Sequence, residues 1–252
     1  ELFKALDAKV PLFAHIPLIL KQFGPGKMSK RDKGALIEEY EQRSFMPDAV
    51  RNYICLLGWN PKDDQEKMPI ETIIERFDFD GVNKGNARFD ETKLSALNAE
   101  YIRELPTSDL AQYVLPILQS NGVDIAPIEQ PYLTEVLELC QTKIKALETL
   151  FEYIHYFFQD TYEFDAKGMQ RIQKGVDPKL LLNEIMPIFE SVELYSKEKL
   201  EAKLTAIAEA NERKLFAYFP VIRMAISGLS GGPDLLPMLS CLLYTSDAAD
   251  DP

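Results

Sequence analysis

The residues of this chain with the clearest chemical potential lie in a short loop near the N-terminus. Residues 24–32, which we call the basic loop, run Gly-Pro-Gly-Lys-Met-Ser-Lys-Arg-Asp and place three cations within five positions. Glycine lets the backbone approach a ligand closely, and lysine ammonium groups follow negative charge as it moves. The pattern predicts a loop that binds a polyphosphate, with an exposed basic turn as the alternative. It is not a Walker loop, because the required Gly-x4-Gly-Lys-Ser/Thr spacing is missing.

The charge distribution supports a local polyanion site on an otherwise acidic protein. The 252 residues are 46% hydrophobic and 27% charged, as in an ordinary globular protein of one large or two modest domains. The net charge is −12. Residues 1–33 hold seven basic and three acidic side chains, a net +4, which leaves −16 for the remainder. An acidic surface of this kind also rejects non-specific nucleic acid.

Several function classes are disfavoured by composition. The three cysteines, Cys55, Cys140 and Cys241, are far apart and form no Cys-x-x-Cys pair, which indicates a reducing compartment and no disulfide framework. With only two histidines, His15 and His155, we expect no protein-bound metal. No run of about 18 apolar residues is present, so we expect a cytoplasmic protein without a membrane span.

The hydrophobic pattern predicts one strand followed by a helical chain. The apolar run 10–20, which contains two prolines, is expected to form a strand and its approach, with no further strand downstream. Residues 123–131 are expected to form a linker. Helices are expected, from apolar spacing, N-caps and prolines at first turns, over 47–58, 69–77, 90–101, 107–122, 132–158 with a break near its aromatic cluster, 179–192, 196–211 and 214–227.

The last thirteen residues do not fit this pattern. Residues 240–252 show no helical stripe and end in a small acidic tail. We expect this segment to be either non-native or disordered, and it enters no further inference about the fold.

Four motifs in order resemble bacterial-type glutamyl-tRNA synthetases of class I. The stretch 15–20, His-Ile-Pro-Leu-Ile-Leu, followed by the glycines and Lys-Met-Ser-Lys-Arg-Asp, resembles the second signature of that class. The other three resemble family patterns: Phe-Met-Pro-Asp-Ala-Val-Arg-Asn-Tyr at 45–53 with Leu-Leu-Gly-Trp at 56–59, Phe-Asp-Glu-Thr-Lys-Leu at 89–94 with Asn98 and Tyr-Ile-Arg at 101–103, and Val-Ile-Arg-Met-Ala-Ile-Ser-Gly at 221–228 with Gly-Pro at 232–233. The resemblance covers roughly residues 1–239.

This resemblance implies a mainly α-helical chain in three parts. Residues 1–33 would be the end of a Rossmann-type catalytic domain, 34–105 a helical stem-contact region and 106–239 an all-helical anticodon-binding region. The implied activity is that of a glutamate–tRNA ligase, which activates glutamate with ATP and Mg²⁺ and transfers it to tRNA(Glu). Partners would be ATP, glutamate and tRNA(Glu), with tRNA(Gln) as a further candidate, and the protein would be a monomer.

The resemblance also assigns roles within the nucleotide site. Lys30 would stabilise the charge that builds on the leaving pyrophosphate, and Lys27 would assist it. Ser29 would hydrogen-bond phosphate, Met28 would pack the loop, and the backbone of Leu18 and Ile19 would contact adenine. The implied ATP-binding set is Leu18, Ile19, Lys27, Met28, Ser29 and Lys30.

For the anticodon, which is single-stranded and splayed, the resemblance implies recognition by stacking and by base edges. Arg223 is the best candidate by motif position, with Gly232 and Leu235 in the adjoining loop; a helix-face salt bridge is the alternative for Arg223. Lys143 falls where some members carry an arginine that recognises the third anticodon base. Lysine lacks the planar fork of arginine, so discrimination between tRNA(Glu) and tRNA(Gln) stays open.

The chain departs from the family in one respect. It begins at Glu1 and lacks the first signature, His-Ile-Gly-His or similar, together with the glutamate-recognition residues. We therefore expect a fragment that holds half of an ATP site and does not form glutamyl-adenylate alone. A non-catalytic helical tRNA-binding module is one alternative. Glutaminyl-tRNA synthetase is another, disfavoured by the helical C-terminal half, and a generic nucleotide hydrolase is the least favoured.

Overall fold

The structure is a computed structural model that describes residues 1–63, 65–189 and 196–248. Two compact units divide the chain, Glu1–Tyr101 and Ile102–Pro252. Within the described ranges, none of the helices combines the length and apolar character needed to cross a bilayer. The predicted boundary at 105/106 lies close to the division between the units, and the predicted division at 33/34 stays a prediction.

The first unit is helical around one small sheet. Its strands, β1 (Ile19–Leu20) and β2 (Ala87–Arg88), pair in parallel with Ile19 opposite Ala87. Its helices are α1 (Leu2–Ala5), α2 (Ile37–Gln42), α3 (Pro47–Leu56), α4 (Ile70–Arg76) and α5 (Glu91–Glu104), with a 3₁₀ turn at Phe79–Gly81.

Local sequence signals account for where these helices begin. Pro47 occupies the first turn of α3, where its missing N–H is not needed. The Asp90 side chain accepts hydrogen bonds from the backbone N–H groups of Thr92 and Lys93 at 2.9 and 3.1 Å, which caps α5. The predicted helices over 47–58, 69–77 and 90–101 are therefore confirmed.

The core of the first unit combines an apolar cluster with a buried amide. The cluster places Phe89 at the end of β2 against Tyr53 of α3, with ring centroids 5.6 Å apart. Buried Asn52 accepts from the Met68 N–H at 2.9 Å and from the Tyr101 hydroxyl at 3.0 Å. The cluster consists of Tyr40, Phe45, Val50, Tyr53, Phe89, Leu94 and Leu97.

The second unit is all helical in the described ranges. Helix α7 packs against α6 and α13, and α13 also packs against α11. Short 3₁₀ turns at Gln141–Lys143, Leu147–Thr149, His155–Phe157 and Leu215–Ala217 connect the helices. The helices are α6 (Thr107–Ser120), α7 (Gln130–Cys140), α8 (Leu150–Ile154), α9 (Ala166–Ile172), α10 (Pro178–Phe189), α11 (Lys197–Ala210), α12 (Phe219–Ser227) and α13 (Leu235–Ala248).

The predicted strand over 10–20 is mostly wrong. Only Ile19–Leu20 pair, because β2 offers a partner only there, while Leu12 and Phe13 are exposed. The prolines at 11 and 17 also remove backbone donors from the run. Strand β2 was not expected at all.

The helix expected over 132–158 was predicted to break near its aromatic cluster, and the position of that break is wrong. Helix α7 ends at Cys140, and the chain continues as short turns and α8. Buried Gln141 explains the break, because its side-chain amide donates to the carbonyl oxygens of Ile102 and Leu105 at 2.8 and 2.6 Å. These bonds fix the chain direction immediately after α7.

The predicted helix over 179–192 is confirmed to Phe189, and residues 190–192 lie outside the described residues.

The expectation of an irregular tail from residue 240 is wrong as far as the structure describes it. Helix α13 continues through Ser240 to Ala248, and Cys241 is fully buried. Pro237 falls in the first turn of α13, a position where proline is tolerated, so it does not interrupt the helix. Residues 249–252 lie outside the described residues.

Candidate functional site

A cleft of about 490 Å³ in the first unit is bordered by the basic loop. Its lining includes the apolar side chains of Ile54, Leu57 and Phe89. It also includes all six residues predicted to bind the nucleotide, Leu18, Ile19, Lys27, Met28, Ser29 and Lys30. The structure therefore brings the whole predicted set together around one space.

Backbone bonds fold the basic loop back onto β1. The Met28 N–H donates to the Ile19 carbonyl at 2.9 Å, and the Lys21 N–H donates to the Gly26 carbonyl at 3.2 Å. Gly24 and Gly26 have φ of +76° and +103°, a backbone region that side chains disfavour, so the reversal requires glycine.

A residue that the sequence did not single out supports this loop. Arg88 of β2 donates from Nη1 to the carbonyl oxygens of Lys21 and Gly24 at 2.6 and 3.2 Å. The guanidinium thereby ties the base of the loop to the small sheet. No local pattern reveals such a contact, since it joins residues more than sixty positions apart.

Asp32 organises the other end of the loop. Its Oδ2 accepts from the backbone N–H and the hydroxyl of Ser29 at 2.8 and 2.7 Å, and its Oδ1 lies 2.9 Å from Lys21 Nζ. The Ser29 hydroxyl, followed by Lys21, lowers the pKa of Asp32 to about 2. Asp32 is therefore ionised at neutral pH.

The two lysines assigned to chemistry are exposed. Among the residues that the structure describes, neither Lys27 nor Lys30 forms an ion pair or a side-chain hydrogen bond. Their ammonium groups border the cleft without a protein partner, which leaves them available to an anion.

The joint between the loop and α2 is tightly packed. Gly34 has φ of +81°, and a Cβ built there would lie 2.7 Å from Cζ of Phe89. The Tyr40 hydroxyl donates to the Gly34 carbonyl, and the Gly34 N–H donates to Glu39 Oε2 at 2.6 Å. The chain leaving the loop is thus held by the core.

A second cavity, of about 390 Å³, lies within the second unit and contains Lys143 in its lining. Lys143 is exposed at the end of a 3₁₀ turn and has no ion pair within the described part of the chain. Tyr153, Asp165 and Ser230 also line the cavity and were missed by the sequence analysis. An aromatic ring and polar groups beside a cation are suited to a single-stranded base.

Asp165 and Ser230 form a fixed pair at this cavity. The Ser230 hydroxyl donates to Asp165 Oδ2 at 2.8 Å, while the same carboxylate caps α9 by accepting from the N–H groups of Lys167 and Gly168. The hydroxyl of Ser230, then these backbone bonds, lower the pKa of Asp165. Because the hydroxyl proton of Ser230 is donated to Asp165, the Ser230 oxygen can only accept a hydrogen bond from a ligand.

Arg223 holds the loop that leads into α13. Its Nη2 donates to the Pro233 carbonyl at 2.7 Å, and it forms no salt bridge among the described residues. Gly232, within the loop from 229 to 234, lies against the guanidinium. Leu235 is only 4% exposed, so it packs in the core and presents little surface to a ligand.

Two family models match the chain. The model described as tRNA synthetases class I (E and Q), catalytic domain, matches residues 1–96, and the anticodon binding domain model matches residues 109–242, more than half of the chain. The chain is 37% identical over 243 residues to a glutamate–tRNA ligase of Methylacidiphilum infernorum and 36% identical over 242 residues to one of Akkermansia muciniphila. This chain belongs to the family described as the anticodon binding domain, and it is homologous to glutamate–tRNA ligases over most of its length.

Each of these two alignments covers 96% of the chain and 54% of the relative. The chain therefore spans about half the length of the curated glutamate–tRNA ligases that it matches. A solved glutamate tRNA ligase structure from Elizabethkingia meningosepticum has a TM-score of 0.82 at 23% identity, covering 96% of this chain and 50% of that one. This likeness confirms the mainly helical fold expected for the family.

Proposed function

We propose that this chain is the part of a glutamate–tRNA ligase that supplies the nucleotide loop and recognises tRNA(Glu). The observation that carries the proposal is the convergence of the six predicted nucleotide residues on one cleft, with Lys27 and Lys30 free of protein partners among the described residues. The ligase names of the relatives also disfavour the alternative of a non-catalytic helical module.

The nucleotide loop would act on the first step of the reaction. Glutamate attacks the α-phosphorus of ATP, the bond to the β-phosphate oxygen breaks, and glutamyl-adenylate and pyrophosphate form. Mg²⁺ would enter with ATP as part of the substrate. Lys30 would stabilise the negative charge that gathers on the departing pyrophosphate, and Lys27 would assist it.

The backbone beside β1 is suited to hold adenine. The Leu18 carbonyl accepts the Ala87 N–H at 3.1 Å, and the Ile19 carbonyl accepts the Met28 N–H at 2.9 Å. Each carbonyl retains a second lone pair for the exocyclic amine of adenine. The apolar side chains in the lining of the cleft would give the ring a surface to pack on.

The second unit would recognise the anticodon. Lys143 would contact a base edge from the cavity that also holds Tyr153, and Arg223 would act beside Gly232 and Leu235. Arg223 commits one N–H to Pro233, which leaves further donors of the guanidinium for a base. Because Lys143 makes a point contact rather than a bidentate one, tRNA(Gln) is a further candidate substrate.

We further propose that the protein acts as a monomer in the cytoplasm.

The proposal is tested in the full-length protein that contains this chain. Lys30→Ala should slow ATP–pyrophosphate exchange with glutamate and tRNA(Glu) far more than it weakens tRNA binding. Lys84→Ala, which removes an exposed lysine away from the cleft, is the matched control and should change neither. Equal loss of exchange and tRNA binding in Lys30→Ala would contradict the assigned role. The chain alone should show no exchange.

A further inference from the structure

The donors of Ser29 are already used in this structure. Its backbone N–H and its hydroxyl both donate to the same oxygen of Asp32, at 2.8 and 2.7 Å. A hydroxyl has only one proton to donate. Ser29 therefore cannot donate to a phosphate while it is bound to Asp32.

The Asp32 carboxylate occupies a site with the features of an anion site. Besides the two Ser29 donors, Lys21 Nζ lies 2.9 Å from Oδ1. A backbone N–H, a hydroxyl and an ammonium are the groups that bind phosphate oxygens in proteins. The lowered pKa of Asp32 agrees with a fully ionised carboxylate held by these donors.

The two lysines of the loop differ from Ser29 in this respect. Lys27 and Lys30 border the same cleft as Ser29 and have no partner in the described part of the chain. The Asp32 carboxylate thus binds the N–H and hydroxyl of Ser29, whereas the ammonium groups of Lys27 and Lys30 stay available to an anion. An arriving polyphosphate meets two free lysines but an occupied serine.

We propose that the Asp32 carboxylate is an internal stand-in for phosphate, which a polyphosphate must displace from Ser29 in order to bind. The inference rests on the proposed function of the loop. Displacement breaks the two hydrogen bonds from Ser29 to Asp32 and forms bonds from the same donors to a phosphate oxygen, while Lys21 remains beside Asp32. While it is bound to Ser29, the carboxylate keeps the turn at residues 29–32 folded, assisted by the bond from the Asp32 N–H to the Ser29 carbonyl at 2.9 Å.

The experiment is a titration of the chain with inorganic pyrophosphate, followed by the backbone amide NMR signals of Met28, Ser29 and Lys30. Asp32→Asn removes the charge but keeps the shape of the side chain. It should bind pyrophosphate about fivefold more tightly than the unchanged chain, because one negative charge near a polyanion is removed. Asp7→Asn removes the same charge from an exposed position outside the cleft and should change nothing.

Weaker or equal binding by Asp32→Asn would overturn the proposal and make Asp32 a residue that only positions the loop. Absence of pyrophosphate binding in Asp32→Asn would overturn it as well. Adding Ser29→Ala separates displacement from a simple charge effect, because the fivefold gain should shrink when the contested donor is gone. An undiminished gain contradicts the displacement. Lys30→Ala tests the proposed function separately: if it leaves pyrophosphate binding unchanged in every variant, the assigned role of Lys30 fails whatever Asp32 does.

Discussion

Gly232 and the guanidinium of Arg223 are in direct contact: a Cβ built on Gly232 would lie 2.6 Å from Arg223 Nη1. The same guanidinium bonds to the carbonyl of Pro233, the next residue along the loop. Two anticodon-binding candidates, Arg223 on a helix and Gly232 in the adjoining loop, therefore depend on each other sterically. The glycine is needed because an arginine side chain fills the space where its side chain would be.

Gly232→Ala should weaken tRNA(Glu) binding and also lower stability. The added methyl group displaces the flexible end of Arg223 from Pro233, and the φ of +158°, which residues with a side chain rarely adopt, should cost about 1–3 kcal/mol in free energy of unfolding. Anisotropy titrations with labelled tRNA(Glu) and urea unfolding measure the two effects. Gly175→Ala is the matched control, since its Cβ would be 3.8 Å from the nearest atom. Unchanged tRNA affinity in Gly232→Ala would show that the position of Arg223 does not matter for binding.

Gly34→Ala should destabilise the first unit by about 2–4 kcal/mol. A side chain at φ of +81° is strained, and its Cβ would collide with the ring of Phe89 in the core. Fluorescence of Trp59, the single tryptophan of the chain, reports urea unfolding of this unit. Gly85→Ala, with no atom within 4 Å of the added Cβ, should cost far less. Equal unfolding midpoints for the two variants would contradict the packing described here.

The carboxyl group of Asp32 should titrate with a pKa of about 2 rather than its ordinary 3.8. Because the folded-state pKa is lowered, the stabilisation from these contacts is complete above about pH 4 and is lost as the pH falls through 2. The ¹³C shift of the carboxyl group as a function of pH measures this directly. Ser29→Ala should raise the pKa toward its ordinary value, since the Ser29 hydroxyl is its main cause. A pKa near 4 in the unchanged chain would mean that the contacts are not formed in solution.

The sequence predicted those features that depend on neighbouring residues. Pro47 and Asp90 mark the starts of α3 and α5 because a missing N–H and a capping carboxylate act within one turn. The run Lys-Met-Ser-Lys-Arg indicated a nucleotide loop because consecutive residues of one loop border one cleft. Lys27, Met28, Ser29 and Lys30 were therefore named together from the loop itself, whereas Leu18 and Ile19, which also line the cleft, were named only through the family resemblance.

Features that depend on distant residues could not be predicted in this way. Arg88 supports the loop across the pair of short strands, and Ser230 meets Asp165 from 65 residues away. The break after α7 follows from the bonds of Gln141 to the carbonyls at 102 and 105, which no helical periodicity contains. Leu235 was expected to contact the anticodon, but its side chain is buried. This burial depends on how α13 packs, which the local sequence does not show.

The most direct test of the central claim is the affinity of this chain for tRNA(Glu), measured by anisotropy at one fixed ionic strength. The chain should bind tRNA(Glu), and Lys143→Ala should weaken that binding by about fivefold through loss of a base or phosphate contact. Lys203→Ala removes an exposed lysine that does not line the cavity and should leave the affinity unchanged. Absence of tRNA(Glu) binding, or an equal effect of both lysine substitutions, would contradict recognition of the tRNA at this site.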